Sequence, residues 1–340
     1  MTSPPARPSA ETALVDQHGR VATDLRVSLT DRCNLRCTYC MPPEGLPWLA
    51  STDVLSDAEV LRLVRVAVEQ LGVDEIRFTG GEPLLRPGLV KIVEGTAALR
   101  PRPKVSLTTN AIGLTRLAEP LAAAGLDRVN ISIDTLDEEE FKRLAYRRRL
   151  KDTLAGIHAA AAAGLTPVKL NAVLIRGVND ADPARLLEWA REHDYELRFI
   201  EQMPLDAQHN WTRDQMVTAD EIFEKLSQRY ELTPDPEHRG SAPAETWLVD
   251  GGPVKVGIIG SVTRPFCGAC DRTRLTADGQ VRACLFSTEE SDLRGALRAG
   301  VADDELAEQW RVAMWGKRAG HGIDDPKFLQ PMRPMSAIGG

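Results

Sequence analysis

Three cysteines stand close together in "DRCNLRCTYCMP" (31–42): Cys33, Cys37 and Cys40, spaced C-x3-C-x2-C. No other follows until Cys267, which opens a second group with Cys270 and Cys284, spaced C-x2-C-x13-C. Six cysteines divided in this way read as two metal centres of three thiolates each rather than as disulfides. A structural zinc or a closed iron–sulfur centre takes four protein ligands. Three ligands leave a coordination position open, which is the arrangement of a catalytic centre. The alternative is zinc completed by a distant histidine, with His18, His209 or His238 as candidates.

The elements that must position these thiols alternate along the first two-thirds of the chain. Short β-type runs cover 24–30, 75–80, 104–110, 128–134, 167–175 and 195–203. Amphipathic, Ala- and Leu-rich stretches such as 57–72 and 150–164 lie between them, with Gly72, Gly125 and Gly164 where helix C-caps are expected. Such alternation implies a parallel sheet with right-handed crossovers. The strand–helix units fall short of the eight of a closed barrel. The expected fold is therefore α/β, a partial (β/α)6 barrel. The first triad follows the first strand, at the carboxyl end where parallel α/β folds place their sites.

One parity of these strands is polar. Arg26, Ser28 and Thr30 share a face, as do Arg77 and Thr79, Ser106 and Thr108, Asn130 with Ser132 and Asp134, Lys169 and Asn171, and Glu196 and Arg198. The opposite parity is aliphatic or Phe. An inner face of this kind lines a polar cavity, and its excess of cations suits an anionic small molecule. The competing reading is a solvent-facing antiparallel sheet with surface arginines, against which the helical crossovers argue.

Composition bounds the rest. The chain has 340 residues, 43% hydrophobic and 27% charged, enough for one large α/β domain or two smaller ones. A formal charge of −7 argues against nucleic acid or an anionic membrane as the main partner. No apolar run approaches the roughly 20 residues that span a bilayer, and the N-terminal stretch has no secretory h-region; a cytoplasmic location is expected. The expected divisions are a disordered lead (1–15), a barrel with the first cluster (16–215), a C-terminal segment with the second cluster over the open side (216–327), and a flexible tail (328–340) ending in Gly339 and Gly340.

C-x3-C-x2-C with Tyr39 before the last cysteine resembles the motif of the radical S-adenosylmethionine superfamily, supported by "TGGEP" (79–83) after the second strand. The resemblance implies a [4Fe–4S] cluster on Cys33, Cys37 and Cys40, with S-adenosylmethionine filling the open position. It also implies one-electron cleavage of that cofactor to a 5′-deoxyadenosyl radical. The second triad, within "PFCGACDRTRLTADGQVRACLF" (265–286), is similar to the C-terminal cluster of the GTP 3′,8-cyclase family of molybdenum cofactor biosynthesis. "LTTN", "NISID", "RFIEQMP" and the terminal "RPMSAIGG" resemble that family too. Departures are Asp271 for the usual Asn, Ala111 for Gly, and "SID" for "SLD".

The resemblance carries roles with it. It implies a second [4Fe–4S] cluster on Cys267, Cys270 and Cys284, whose open iron orients the guanine base. Arg26, Arg77, Thr108, Lys169 and Arg198 would hold GTP, joined by Arg272 and Arg274, which are also assigned catalytic roles. Tyr39, Gly81, Ser132 and Met203 would bind S-adenosylmethionine, and Gly339 and Gly340 would enter the site. An external electron donor is implied, as is transfer of product to cyclic pyranopterin monophosphate synthase, and a homodimer is admitted. A peptide-modifying radical enzyme is the rival activity, and a zinc-stabilised binding module the rival of another class.

Overall fold

The six β runs read from the sequence are all strands in the computed structural model, which describes residues 13–339. They are β1 (Asp24–Ser28), β2 (Glu75–Thr79), β3 (Lys104–Thr109), β4 (Arg128–Ser132), β5 (Lys169–Val173) and β6 (Glu196–Ile200). Each stops before the end of the corresponding run. The polar residues ending those runs, Thr30, Asn110 and Asp134 among them, extend the alternation but belong to the loops that carry the site. The helices among these strands are α1 (Asp57–Leu71), α2 (Leu89–Ala97), α3 (Leu114–Ala123), α4 (Glu138–Ala145), α5 (Leu150–Ala162) and α6 (Pro183–Glu192). α1 shows why the local sequence suffices: Ser56 and Glu59 form a capping box, and Gly72 closes the helix at φ 73°.

β1 to β6 pair in parallel and in chain order. The antiparallel alternative is thereby excluded. Their aliphatic parity is the core: Leu25, Val27, Ile76, Phe78, Ile131 and Phe199 are fully buried and join the apolar faces of the helices. Truncating Phe78 to Ala in such a core costs about 3–5 kcal/mol.

The C-terminal segment does more than cover an opening. It contributes α7 (Ala219–Ser227), β7 (Leu232–Pro234), β8 (Glu245–Val249), β9 (Lys255–Ile259), β10 (Arg272–Leu275), β11 (Gln280–Arg282), β12 (Ser291–Asp292), α8 (Leu293–Arg298), α9 (Asp303–Trp315) and α10 (Met335–Ile338). β9 adds in parallel to β6, and β10 adds in parallel to β1. Both edges of the barrel sheet are thus prolonged, giving an open sheet of 12 strands bounded by β12 and β7. This is how Arg272 and Arg274 come to stand beside Asp24 and Arg26, their register partners.

Two expected divisions need correction. The expected lead runs through residue 15, yet Leu14 is fully buried and Val15 bridges Val21, because this segment packs into the core. The expected flexible tail begins at residue 328, yet Arg333 to Gly339 is docked. Arg333 grips Asp278 with two bonds of 3.0 and 2.7 Å and Glu290 with a third, and Ile338 is fully buried. The expectations for residues 1–12 and for Gly340 fall outside the described residues.

Candidate active site

The first triad is held by the loops at the carboxyl ends of the strands. Gly81 donates its N–H to Thr30 O at 2.6 Å and Glu82 to Arg32 O at 2.7 Å, pressing the β2 loop against the cysteine loop. A Cβ on Gly80 would lie 2.5 Å from Thr30 O, and one on Gly81 2.4 Å from Arg32 O. Glycine is required at both positions by this approach of backbone to backbone, where the sequence suggests approach to a ligand. The Glu82 carboxylate then accepts from Leu84 N–H, Asn110 N–H and the Thr109 hydroxyl at 2.7–3.0 Å. Burial pushes this carboxyl up to about 7, against those bonds. On the other side Tyr39 Oη donates to Asp134 at 2.7 Å, and Val173 N–H donates to the same carboxylate at 2.8 Å.

Cys33, Cys37 and Cys40 line one cavity of about 220 Å³, together with Gly81, Thr108, Ser132, Met203 and Ser336. Burial drives Cys33 up to about 12, with Glu82 adding to the shift; it drives Cys40 up to about 11 and raises Cys37 well above its ordinary value, with Asp134 adding there. No arginine or lysine lines this cavity among the described residues. Three thiols around one void, made costly to ionise by burial and nearby carboxyls, fit a cationic iron–sulfur core that would supply the missing positive charge. Among the described residues no three His, Cys, Asp or Glu side chains are arranged around a single metal ion.

Below this cavity the strand register assembles the cations. Arg26 is level with Arg274 on one side and Arg77 on the other, Arg77 with Ser106, and Ser106 with Arg128. Asp24 lies among them, 3.7–3.8 Å from Arg26, Arg77 and Arg272. Burial raises the Asp24 carboxyl, but Arg26, Arg77, Arg272 and Arg274 outweigh it and hold it below the usual carboxylate range. Burial and mutual repulsion lower Arg26 well below its ordinary value, and bring Arg198 down to about 9 and Arg274 to about 10. Among the described residues, Arg26 Nε, Arg198 Nε, Arg272 Nε and the Asn130 amide nitrogen are buried without a hydrogen-bond partner. Buried donors of this kind are costly unless something accepts from them. The set fits a polyanion. Lys169 stands apart from the unpaired set, engaged with Glu196 at 2.6 Å.

Cys267, Cys270 and Cys284 line a second pocket of about 70 Å³, with Arg272, Arg274, His321 and, again, Met203. Here the surroundings are cationic. Lys317, buried just beyond α9, donates to Arg272 O at 2.8 Å, Cys270 O at 3.1 Å and Cys270 Sγ at 3.4 Å. Burial raises the Cys270 thiol, but Lys317 and Arg272 overcome it and bring it below its ordinary value. His321 Nδ1 accepts from Ile323 N–H at 3.0 Å, so the ring proton of the neutral form is on Nε2, which is buried and unpartnered among the described residues. The tail reaches between the two pockets. Ser336 hydrogen-bonds Cys40, and Arg274 donates to Gly339 O. Gly339 has φ 83°, and a Cβ there would meet Thr79 Cγ2 at 2.7 Å, so both backbone and space require glycine.

Sequence reasoning misses several residues that hold this arrangement. Asp24 has the same strand parity as Arg26, a signal that could flag it. Glu82 and Asp134 lie inside recognisable motifs that assign them no role. Lys317 and His321 carry no local signal, being placed only when α9 packs beside β11.

An open, largely parallel α/β sheet with one half-buried cysteine triad after the carboxyl end of β1, a second bracketing β10 and β11, and arginines on the strands between them is the architecture of the radical S-adenosylmethionine proteins. The Radical SAM superfamily model matches residues 27–190, and the Molybdenum Cofactor Synthesis C model matches 195–323. The chain is 69% identical over 328 residues to GTP 3′,8-cyclase of Streptomyces coelicolor, covering 96% of each protein. It is 59% identical to the GTP 3′,8-cyclase of Mycolicibacterium smegmatis, covering 97% of this chain and 93% of that one. The chain belongs to the GTP 3′,8-cyclase family. Among solved structures, Streptococcus suis SuiB bound to S-adenosylmethionine superposes with a TM-score of 0.56 at 14% identity, covering 87% of this chain and 69% of that one. At that identity the likeness is one of fold.

Proposed function

We propose that this chain is a radical S-adenosylmethionine GTP 3′,8-cyclase, forming (8S)-3′,8-cyclo-7,8-dihydroguanosine 5′-triphosphate at the first step of molybdenum cofactor biosynthesis. The observation that carries the substrate is the cluster of Arg26, Arg77, Arg198, Arg272 and Arg274, of which Arg272 and Arg274 are buried and Arg26, Arg198 and Arg272 each keep a buried Nε without a partner among the described residues. A triphosphate supplies the acceptors and negative charge this set lacks, in the bidentate geometry guanidinium groups favour.

When bound at Cys33, Cys37 and Cys40, a [4Fe–4S] cluster with S-adenosylmethionine supplies, on one-electron reduction, a radical able to take hydrogen from ribose C3′. Gly81, Ser132 and Met203 line the space for the cofactor, while Tyr39 fixes the loop through Asp134. Thr108 lies on the same wall, and Lys169 would extend the cationic floor on releasing Glu196. Cys267, Cys270 and Cys284 would hold a second [4Fe–4S] cluster orienting guanine, with His321 lining the same pocket. Arg274 and Gly339 would brace the substrate between the pockets. Gly340 continues that tail in sequence. An external one-electron donor, passage of product to cyclic pyranopterin monophosphate synthase, a cytoplasmic setting and a homodimer belong to this reading.

The test is anaerobic incubation of reconstituted protein with GTP, S-adenosylmethionine and reductant, followed by chromatographic separation of the nucleotides and mass analysis of each. The expected result is 5′-deoxyadenosine together with a cyclised nucleotide isomeric with GTP. Cofactor cleavage without any change in GTP would defeat the reading.

A further inference from the structure

The first centre must receive electrons from outside, and one surface beside it is built for a particular kind of donor. Residues 142–151, "KRLAYRRRLK", carry six cations and no carboxylate, in a chain with 49 acidic against 42 basic residues. Lys142, Arg143, Arg147, Arg148, Arg149 and Lys151 are all exposed. Arg148 pairs with Glu139 and Arg149 with Asp152. Lys142, Arg143, Arg147 and Lys151 form no ion pair among the described residues.

This run is also the outer wall of the first thiol site. α4 turns Phe141, Leu144 and Ala145 into the cavity that holds the thiols. Leu144 O accepts from Thr38 N–H at 2.9 Å and Ala145 O from Arg36 N–H at 3.1 Å, so the helix end is bonded to the backbone on both sides of Cys37. The next residue, Tyr146, is 43% exposed and turns at φ 52°, placing an aromatic ring among the cations. Electron transfer through protein falls steeply with distance, so a carrier seated here approaches the thiols through one turn of helix.

We propose that the 142–151 surface docks a small acidic one-electron carrier protein that reduces the first centre. The carrier is oxidised by one electron, the centre is reduced by one, and no proton transfer is required. Charge complementarity selects the partner: a negative carrier face is attracted here and repelled by the acidic remainder of the chain. The proposal rests on the radical S-adenosylmethionine reading above.

The experiment uses Lys142→Glu/Arg147→Glu, whose side chains are exposed and lie outside the binding machinery. 5′-Deoxyadenosine formation is timed with two electron sources: reduced flavodoxin, an acidic carrier, and dithionite, which needs no docking. The expected result is a roughly tenfold slower reaction with flavodoxin at low salt, a difference that shrinks as salt is added, and an unchanged rate with dithionite. Equal flavodoxin-driven rates in the two proteins would overturn the proposal. So would an equal loss with dithionite, or loss of binding to phosphatidylserine vesicles or duplex DNA with no flavodoxin effect. If the unaltered protein made no 5′-deoxyadenosine even with dithionite, the underlying reading would fail instead. Lys142→Gln/Arg147→Gln, with a smaller expected loss, serves as the second variant.

Discussion

The two cysteine triads differ in their electrical surroundings: burial raises Cys267 of the second as it raises all three thiols of the first, whereas Cys270 is lowered. Cys33, Cys37 and Cys40 lie in a cavity with buried carboxyls, Glu82 and Asp134, and no lining cation among the described residues, and burial raises all three thiols. Cys270, in the second pocket, touches Lys317 and has Arg272 beside it, and its thiol is lowered. The first site therefore suits a centre that brings its own positive charge and an overall neutral, zwitterionic cofactor end. The second suits an anionic substrate held next to a centre whose charge is already compensated. The same ligand type is tuned to two tasks by what surrounds it.

The strongest way to break this comparison is to remove thiols from one side at a time. Replacing Cys33, Cys37 or Cys40 with Ala should abolish 5′-deoxyadenosine formation. Replacing Cys267, Cys270 or Cys284 should leave uncoupled cleavage while eliminating the cyclised nucleotide. Identical outcomes from the two sets, in folded and reconstituted protein, would mean that the surroundings do not divide the labour.

Deleting Gly339 and Gly340 should come next in size. The tail is anchored upstream by Arg333 on Asp278 and Glu290 and by buried Ile338, so thermal unfolding should hardly move. Product formation should collapse, since Arg274 loses the carbonyl it donates to. A synthetic peptide ending in the missing residues should restore part of it. A truncated protein with full turnover would make the tail a mere closing strap.

Arg26→Ala and Arg198→Ala probe the floor shared by both halves. Removing one partner of a buried charged contact costs about 2–5 kcal/mol, so GTP binding measured by calorimetry should weaken more than tenfold. S-adenosylmethionine affinity should hold. Near-normal GTP affinity in both variants would leave the unpaired guanidinium donors without an explanation.

How much of this is legible in the chain follows from the range of the interactions. The strands, their inner parity and both triads are local patterns, and period-2 alternation by itself puts Arg26, Arg77 and Arg198 on one face. The meeting of that face with Arg272 and Arg274 is different in kind. It depends on β10 pairing with β1 across more than two hundred residues of sequence, which no periodicity encodes. The docked tail is legible only in part: its glycine end is expected in the cavity, but the Arg333 grip is a contact between distant residues. Asp24 shows the remaining gap, since an acid among arginines reads as an ordinary surface pair until burial shows that it cannot balance them all.

The finest test concerns Lys317, which gives the second triad a direct ammonium contact. Its three donors find three acceptors, Arg272 O, Cys270 O and Cys270 Sγ, so charge and position are fixed together. A cation at a cluster sulfur stabilises the more negative, reduced state, and hydrogen bonds to sulfur act in the same direction. Lys317→Met should therefore move the second centre to a more negative potential in an EPR-monitored redox titration while leaving the first centre where it was. Lys317→Arg, which keeps the charge, should restore most of the shift. Product formation should fall only severalfold, because the thiolates and the arginine floor remain. A second-centre potential unchanged in Lys317→Met, with full iron content, would show that the contrast between the triads is one of shape rather than charge. Burial alone would then have to explain why the two sites differ, although burial raises the thiol at Cys270 as well as those at Cys33, Cys37 and Cys40.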